Sequence, residues 1–570
     1  MVEDPIEKAE ANKPPTPAES SGGACQWRVS HDLMVAKQTG EAVVPLQGAG
    51  WKAALALALG LVATPAFAQE NVLRVVPHAD LRTLDPHIAT ALITKMHGAM
   101  VYETLLTWDS KLNVRPMAAE KLDVSADRLT YSFTLREGMT FHDGSPVRAA
   151  DVVASLRRWM AKDLPGGRLS QQLAAIDIEN DRVFHLRLKQ PYGFVEFTLG
   201  SVGALLPQIM RERDAQTDAN TQITEIVGSG PFRFRRGDWV PGAKVVYERN
   251  PDYRPRSEPG DGLAGARVVH VDRVEWHVIP DPATVAAALQ TGEIDFWDTV
   301  PLDLLSTIER HPEVVTGKLV PLPYVGNIRM NQRHPPFNNP KLRAAVAALM
   351  DQTELMQAAV GDPRWFQTCL SFFVCGSPNG TVAGSEAYAS PSVARAKQLM
   401  AEGGYAGEPV VLLGTKELAP IGGMSEVLNQ RLRAAGFNVD FKMQAWGTLI
   451  STINKYPPDP GGWSIFATYS TGAVMHHPLS NIFADTNCDG RSVAGWPCDR
   501  EGMALKNAYL GAADPGARTA ALEALHRRLW EVVVYVPAGQ FDAPFAWRRN
   551  VQGVGAMALP VFWNMRKVGK

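Results

Sequence analysis

The chain is 570 residues long, with 45% hydrophobic and 20% charged side chains, so it exceeds the usual size of one core and should fold as two or three globular lobes. Lys and Arg total 57 against 59 Asp and Glu, a formal net charge of −2 with both signs interspersed. That balance gives no basic field for a nucleic-acid backbone and no acidic tail, so no nucleic-acid partner is expected.

Residues 1–33 are polar, rich in Pro, Glu and Ser, and without hydrophobic period. They are read as an extension outside the fold, with Met34 as the natural start and a disordered cytoplasmic tail as the alternative. Trp51-Lys52 then precedes an uninterrupted run of Ala, Leu, Gly and Val at 53–63, and Ala66-Phe67-Ala68 supplies the small-x-small pattern of a signal-peptidase site. Residues 34–68 are expected to be a secretory signal cut after Ala68, leaving a mature chain from Gln69 in the periplasm. The apolar run is about half of the ~20 residues that cross a bilayer, which makes a retained transmembrane helix the weaker reading. No Cys stands at the cleavage point, so a free rather than a lipid-anchored protein is expected.

From 71 to 135 short β-branched runs alternate with polar turns, beginning with a strand at Val72–Val76. Helical spacing follows at 149–160, 282–290, 341–359, 391–403, 424–435 and 520–534, separated by strand-like stretches such as 410–413 and 439–443. The class is mixed α/β, with no fixed-period repeat. Of the 5 Cys, Cys25 precedes the cut, while Cys369, Cys375, Cys488 and Cys498 follow it as an even set in an oxidising compartment. Two disulfides are expected. Proximity favours Cys369 with Cys375 and Cys488 with Cys498, although four Cys permit three pairings. Zinc is the poorer reading, because neither pair has the C-x(2–4)-C spacing with a nearby His.

The most informative stretch is 140–159, TFHDGSPVRAADVVASLRRW. Phe-His-Asp-Gly-Ser-Pro ends a strand at Thr130–Leu135 in a turn that Gly144 and Pro146 adopt readily. Pro146 suits a first helical turn, Asp151 places charge near the positive end of the helix, and Val152, Val153, Leu156 and Trp159 recur at spacings of a buried stripe. His142 and Asp143 are read as structural. The segment resembles the peptide/nickel-type (family 5) substrate-binding proteins of ABC importers. Arg82-Thr83-Leu84-Asp85-Pro86 is similar to that family's early LDP loop, and 101–108 followed by Pro116-Met117-Ala118-Ala119-Glu120 to its next helix and turn. Gly228-Ser229-Gly230-Pro231-Phe232-Arg233-Phe234 and 246–253 (VYERNPDY) resemble its hairpin, with Arg254 where the family has Trp. The match continues through 289–295 (LQTGEID), 330–350 and 434–439, in the family's order along nearly the whole mature chain.

The resemblance implies an α/β, two-lobed periplasmic binding protein of class II, cluster C type, with an extra inserted subdomain and hinge strands. Lobe I would take 70–113, 229–324 and 535–570, the inserted subdomain 114–228, and lobe II 325–534. Strands near 324–331 and 532–541 would cross as a hinge that closes over ligand. It further implies a monomer, without cofactor, that hands a small organic solute to an inner-membrane ABC permease. The alternative on the same fold is a ligand-sensing or chaperone-like periplasmic receptor. H-E-x-x-H, G-x(4)-G-K-[ST], G-x-S-x-G and a strand-linked G-x-G-x-x-G are absent from the sequence, and no enzyme is expected.

A closing cleft desolvates its ligand and must replace the lost water contacts, so aromatic faces and hydrogen-bonding groups are the candidates. Trp365, Trp446 and Phe541 fall in the second lobe or hinge, with burial in the core as the competing reading for each. On the first hinge strand Tyr324, Asn327 and Arg329 are candidates. Asn327, Arg329 and Asn331 share a face by period two, and Arg329 suits either a ligand carboxylate or a structural ion pair. Family position adds His78 and Gln540-Phe541 on the first-lobe side, and Tyr469, Ser470 and Thr471 on the second. In peptide-binding relatives an acidic residue in the segment matching 463–479 receives the peptide's α-amino group, since a buried ammonium needs a charged partner. Here no carboxylate lies between Asp459 and Asp485. A ligand without a buried amino terminus is therefore expected, such as a modified peptide, an opine or sugar conjugate, or an aromatic acid, with an ordinary peptide in another register as the alternative. His476-His477 invite a nickel reading, but adjacent side chains on an extended segment point apart. His476 is instead expected to hydrogen-bond an organic ligand or a loop carbonyl, and no metal is expected.

Overall fold

The computed structural model describes residues 71–455, 459–460, 462–488, 493–512 and 514–569, all within one unit spanning 68–570. The expectations for 1–33, the signal at 34–68 with its cut after Ala68, and Cys25 lie outside the described residues.

The alternating stretch TYSFTL forms the strand Thr130–Leu135, which buries Tyr131, Phe133 and Leu135 on one face. It sits inside a four-stranded antiparallel sheet ordered Ala119–Val124, Thr130–Leu135, Val183–Leu188, Leu173–Ile178. Against it packs the helix Ala149–Met160, bounded as its sequence predicts, with Val152, Val153, Leu156 and Trp159 buried. Asp151 closes the helix start by accepting the Arg148 N–H at 2.8 Å, and it also takes the Glu212 N–H at 2.7 Å. His142 and Asp143 are structural, as read. The His142 N–H donates to the Gly228 carbonyl (2.7 Å), and Asp143 accepts from Ser145 (2.6 Å) and pairs with Arg211 (2.8 Å).

A seven-stranded mixed sheet is ordered Val314–Gly317, Phe545–Arg548, Phe296–Trp297, Val72–Val76, Arg273–His277, Lys244–Arg249, Phe232–Phe234. Its centre, Val72–Val76, runs parallel to both neighbours. A six-stranded sheet is ordered Phe366–Gln367, Val536–Phe541, Tyr324–Met330, Ile465–Ser470, Pro409–Gly414, Asn438–Met443. The two share no strand. The chain passes between them at 318–323 and returns at 542–544, and these crossings are adjacent: Lys318 pairs with Asp542 at 2.7 Å, and Tyr324 stands opposite Phe541 in register.

Four expected elements differ in the structure, one of them the helix at 520–534, which runs Pro515–Val532. The helix at 341–359 is two helices, Pro340–Leu349 and Gln352–Val360, because Asp351 caps the second by accepting the Thr353 and Glu354 N–H groups. The strand at 532–541 is only Val536–Phe541, since the helix Pro515–Val532 runs into its start and ends where Val533 turns left-handed (φ 46°). The helix at 424–435 begins earlier, at Ala419. Both disulfides form as proximity favoured, Cys369 with Cys375 and Cys488 with Cys498.

The GSGPF stretch owes its glycines to close approach. A Cβ on Gly228 would lie 1.9 Å from the Val101 carbonyl oxygen and one on Gly230 2.7 Å from it, so the Leu92–Val101 helix and the hairpin must separate to admit either. Gly228→Ala is expected to lower stability by about 1–3 kcal/mol, the range for an overpacked core, while Ser229→Ala in the same loop falls well below it. Urea unfolding of the two variants checks this, and equal midpoints would refute it.

Candidate functional site

The residues singled out from the sequence fall into three separate places. At the crossing between the sheets, Tyr324, Tyr469 and Phe541 form an aromatic triad, with centroid distances of 5.4 Å (Tyr324 to Tyr469), 5.4 Å (Tyr324 to Phe541) and 5.2 Å (Tyr469 to Phe541). Burial, and then the nearby Asp298 charge, push the Tyr324 phenol far above its usual range. Asp298 also holds His78, whose Nδ1 lies 2.6 Å from Oδ2. Trp365 is buried beside the triad's strand. Its carbonyl accepts the Asp542 N–H (2.8 Å), and Lys318 lies over its ring at 5.1 Å. Ser470 pairs with Val325 in register, and Thr471 follows with a buried hydroxyl that has no hydrogen-bond partner among the described residues. Gln540 is fully buried; its Oε1 accepts the Cys375 N–H at 2.7 Å while its Nε2 has no partner among the described residues, and the Asn327 amide donates to the Val325 carbonyl.

A second group lies in an apolar cluster apart from the triad. Trp446 opens the helix Trp446–Asn454 and packs against the cluster that includes Val411, Leu449, Trp463 and Trp496. Arg329 is buried there, donating to the Ala494 carbonyl beneath the faces of Phe466 (5.2 Å) and Phe483 (4.6 Å). Burial pushes its guanidinium down to about 9. Among the described residues no carboxylate pairs with it. Asn331 donates to the Trp463 carbonyl on the same side.

The third place is the seam where 106–197 meets 472–518. His476 and His477 do not lie on an extended segment, as their sequence was read. They follow the short helix Gly472–Met475 with His476 still in helical backbone, which turns both rings into one aromatic layer. Trp108 meets His476 edge-on at 5.0 Å, Phe197 stacks on His477 at 4.2 Å, and Phe194 stacks on Tyr509 at 5.7 Å. His476 Nδ1 bonds the Ala473 carbonyl (3.0 Å) and His477 Nε2 the Tyr509 hydroxyl (3.0 Å). Burial lowers His476 to about 4 and His477 well below its ordinary value.

Beside this layer opens a groove of about 850 Å³, walled on one side by the helix Leu164–Gln172 and the turn carrying Tyr192, and on the other by Ile482, Asp485 and the helix Arg500–Gly511. Arg168 bridges the walls by donating to Asp485, whose Oδ2 is also 3.2 Å from Lys506 Nζ. The two cations hold the Asp485 carboxyl below its usual range against the opposing effect of burial. Burial lowers Lys506 to about 8. None of these three residues was singled out from the sequence. Pro165 and Gly166-Gly167 break the periodic signal of the Arg168 helix, and its one legible mark is the capping Asp163, which accepts the Gly166 N–H at 3.0 Å. No group of His, Cys, Asp and Glu able to hold a metal occurs among the described residues.

The profile of bacterial extracellular solute-binding proteins, family 5 Middle, matches residues 113–481. The chain belongs to the family 5 solute-binding proteins. A "probable peptide ABC transporter periplasmic-binding protein" of Sinorhizobium fredii is 38% identical over 525 residues, 90% of this chain and 97% of the relative. Two solved family 5 folds superpose well. The periplasmic binding protein AgaA of A. tumefaciens R10, in complex with agropinic acid, has a TM-score of 0.73 at 21% identity over 88% of this chain and 99% of its own. DppA of Helicobacter pylori, in complex with the peptide STSA, has a TM-score of 0.73 at 20% identity over 87% and 98%. These likenesses establish the two-lobed α/β fold for this family 5 chain.

Proposed function

We propose that this protein is the substrate-binding component of an ABC importer, taking a small peptide-like or other organic solute into the groove at 164–192 and 482–511 and presenting it to the permease as a monomer. The observation that carries the reading is the groove itself. It is walled from both sides of the molecule, and the chain passes between the two large sheets at the adjacent crossings 318–323 and 542–544, where small backbone rotations swing one wall against the other. With the crossings at 318–323 and 542–544, the strand expected in the first lobe at 535–541 goes instead to the second, so the lobes run 70–113, 229–317 and 545–570 for the first, 114–228 for the inserted subdomain and 324–541 for the second. The aromatic triad of Tyr324, Tyr469 and Phe541, with His78 and Trp365, lies at the hinge, where it sets the closing angle and meets the inner end of a long solute. Differential contact with the closed form is what holds solute, so no covalent step enters.

The relatives are solute-binding proteins, one of them described as periplasmic, which supports a non-enzymatic periplasmic role; the reading adds delivery by the signal at 34–68. Native mass spectrometry of the protein isolated from the periplasm tests both points. The expected species is a chain beginning at Gln69 that carries a non-covalent organic adduct. A chain retaining residues 34–68 would overturn the signal assignment. A protein without adduct, whose scattering radius is unmoved by a periplasmic extract, would overturn the receptor reading.

A further inference from the structure

The hydrogen bonds of the two seam histidines fix where each carries its proton. The Leu479 N–H lies 3.0 Å from His477 Nδ1 and can only donate, so that nitrogen accepts. Burial first, and then the charges of His476, Lys506 and Arg518, hold the ring neutral, which puts its single proton on Nε2. His476 has the reverse arrangement. Its Nδ1 is 3.0 Å from the Ala473 carbonyl, which can only accept, so its proton sits on Nδ1. Adjacent rings thus hold opposite tautomers.

The direction continues beyond His477. Its Nε2–H donates to the Tyr509 oxygen at 3.0 Å, the Tyr509 hydroxyl donates to Asn379 Oδ1 at 2.9 Å, and the Asn379 amide donates to the His476 carbonyl at 3.1 Å. The last bond settles which way the amide faces, because a carbonyl oxygen only accepts. Tyr509 is 2% exposed and Asn379 9%, so water does not substitute for these partners. With the His477 proton on Nδ1, two N–H groups would face each other at Leu479, and His477 Nε2 and Asn379 Oδ1 would compete for one hydroxyl proton.

Tyr509 belongs to the helix Arg500–Gly511, whose Met503, Asn507 and Leu510 line the groove. From the 106–197 side of the seam, Phe194 stacks on its ring and Phe197 on His477. One hydroxyl therefore ties a groove-lining helix to the histidine layer on which the other side of the seam rests. Parting the seam uncovers that layer to water, so a broken link costs the closed form more than the open one.

Resting on the reading that this groove takes the solute, we infer that Tyr509 is a positioning residue for closure, its hydroxyl locking the groove-lining helix to the histidine layer through His477 Nε2 and Asn379 Oδ1. Hydrogen exchange of the whole protein, read by mass spectrometry at 192–200 and 472–481, tests it, with nitrogen NMR of histidine-labelled protein as the tautomer readout. His477 is expected as Nε2–H and His476 as Nδ1–H. Tyr509→Phe keeps the ring on Phe194 and loses only the hydroxyl, and exchange should rise about ten-fold in both segments, the effect of a buried polar group left without its partner. His477→Asn keeps an acceptor for the Leu479 N–H and removes the Nε2–H, so in that background Tyr509→Phe should cost clearly less. A hydroxyl that only steadies its own side would raise exchange at 472–481 and leave 192–200 unmoved, and that result overturns the inference. So do an Nδ1–H signal from His477, unchanged exchange in both segments, or an equal effect of Tyr509→Phe in both backgrounds. Native mass spectrometry of the same samples separates the two readings: a seam that responds as expected in a protein carrying no adduct sinks the receptor reading alone, and an adduct-bearing protein whose seam ignores Tyr509→Phe sinks this inference alone.

Discussion

Asp85→Ala is expected to destabilise the protein by about 3–5 kcal/mol, the range for removing one member of a buried ion pair. The Asp85 side chain is fully buried and the Arg158 side chain 1% exposed, and they meet at 2.6 Å. Asp85 also accepts the Ile223 N–H (3.0 Å) and, through its other oxygen, the His87 N–H (2.9 Å). Arg158 donates further to the carbonyls of Asp218 (3.1 Å) and Thr221 (2.8 Å). Removing the carboxylate therefore leaves a guanidinium without counter-charge in a site that water does not reach, together with two N–H groups lacking partners. The cause is charge and not volume. Asp85→Asn, which keeps an acceptor, should lose less, and the double variant Asp85→Ala with Arg158→Met should recover part of the loss because no charge remains buried. Urea unfolding should be followed at the earliest transition, since a chain with two bodies need not unfold in one step. A double variant no more stable than Asp85→Ala would show that lost hydrogen bonding, not the unpaired charge, sets the effect.

That pair also explains in physical terms why two distant sequence motifs travel together. Asp85 belongs to the LDP loop and Arg158 to the helix after FHDGSP, and the buried contact ties one to the other. Most of the architecture was legible for reasons of this kind. The stripe of Val152, Val153, Leu156 and Trp159, the alternation of 130–135 and the valine-rich strand at 72–76 each carry their own period, and local period decides which face is buried. The site was less legible because it is assembled from residues far apart in the chain. Tyr324, Tyr469 and Phe541 were each candidates on separate segments, and only the structure brings them together at the crossing. Periodicity on the strand Tyr324–Met330 correctly set Arg329 and Asn331 on one face, yet that face is turned into the layer of Trp463 and Phe466, and period alone does not say which layer covers a strand buried on both sides. Asp485 entered the sequence argument only as the end of a stretch free of carboxylates. Its importance depends on Arg168, 317 residues away, on a helix whose Pro and Gly residues hide it from pattern reading.

Acidification from pH 7 to 5 is expected to open the molecule before it unfolds it. In the closed arrangement His476 sits near 4 and His477 well below its ordinary value, first because both rings are buried and, for His477, because His476, Lys506 and Arg518 add repulsion. An exposed histidine titrates near 6.5, so each ring takes up a proton more readily once the seam parts. The stabilisation of the closed form is thus complete above about 6.5 and is lost as pH falls from there toward the lowered values, by up to ~1.4 kcal/mol per pH unit per histidine. With both rings neutral in the seam, the loss at pH 5 approaches ~4 kcal/mol, a shift of about a thousand-fold in the closed-to-open ratio. Small-angle scattering should show a larger radius at pH 5 with an unchanged far-UV spectrum, and retained solute should be released over the same interval. His87, His142 and His526, each lowered to about 4, lie away from the seam and weaken the fold rather than the closure. Replacing His476 and His477 together by Asn should therefore abolish the acid-induced opening while leaving the later acid unfolding in place. Opening that persists in the double variant would place the sensitivity elsewhere and remove the seam histidines from the account.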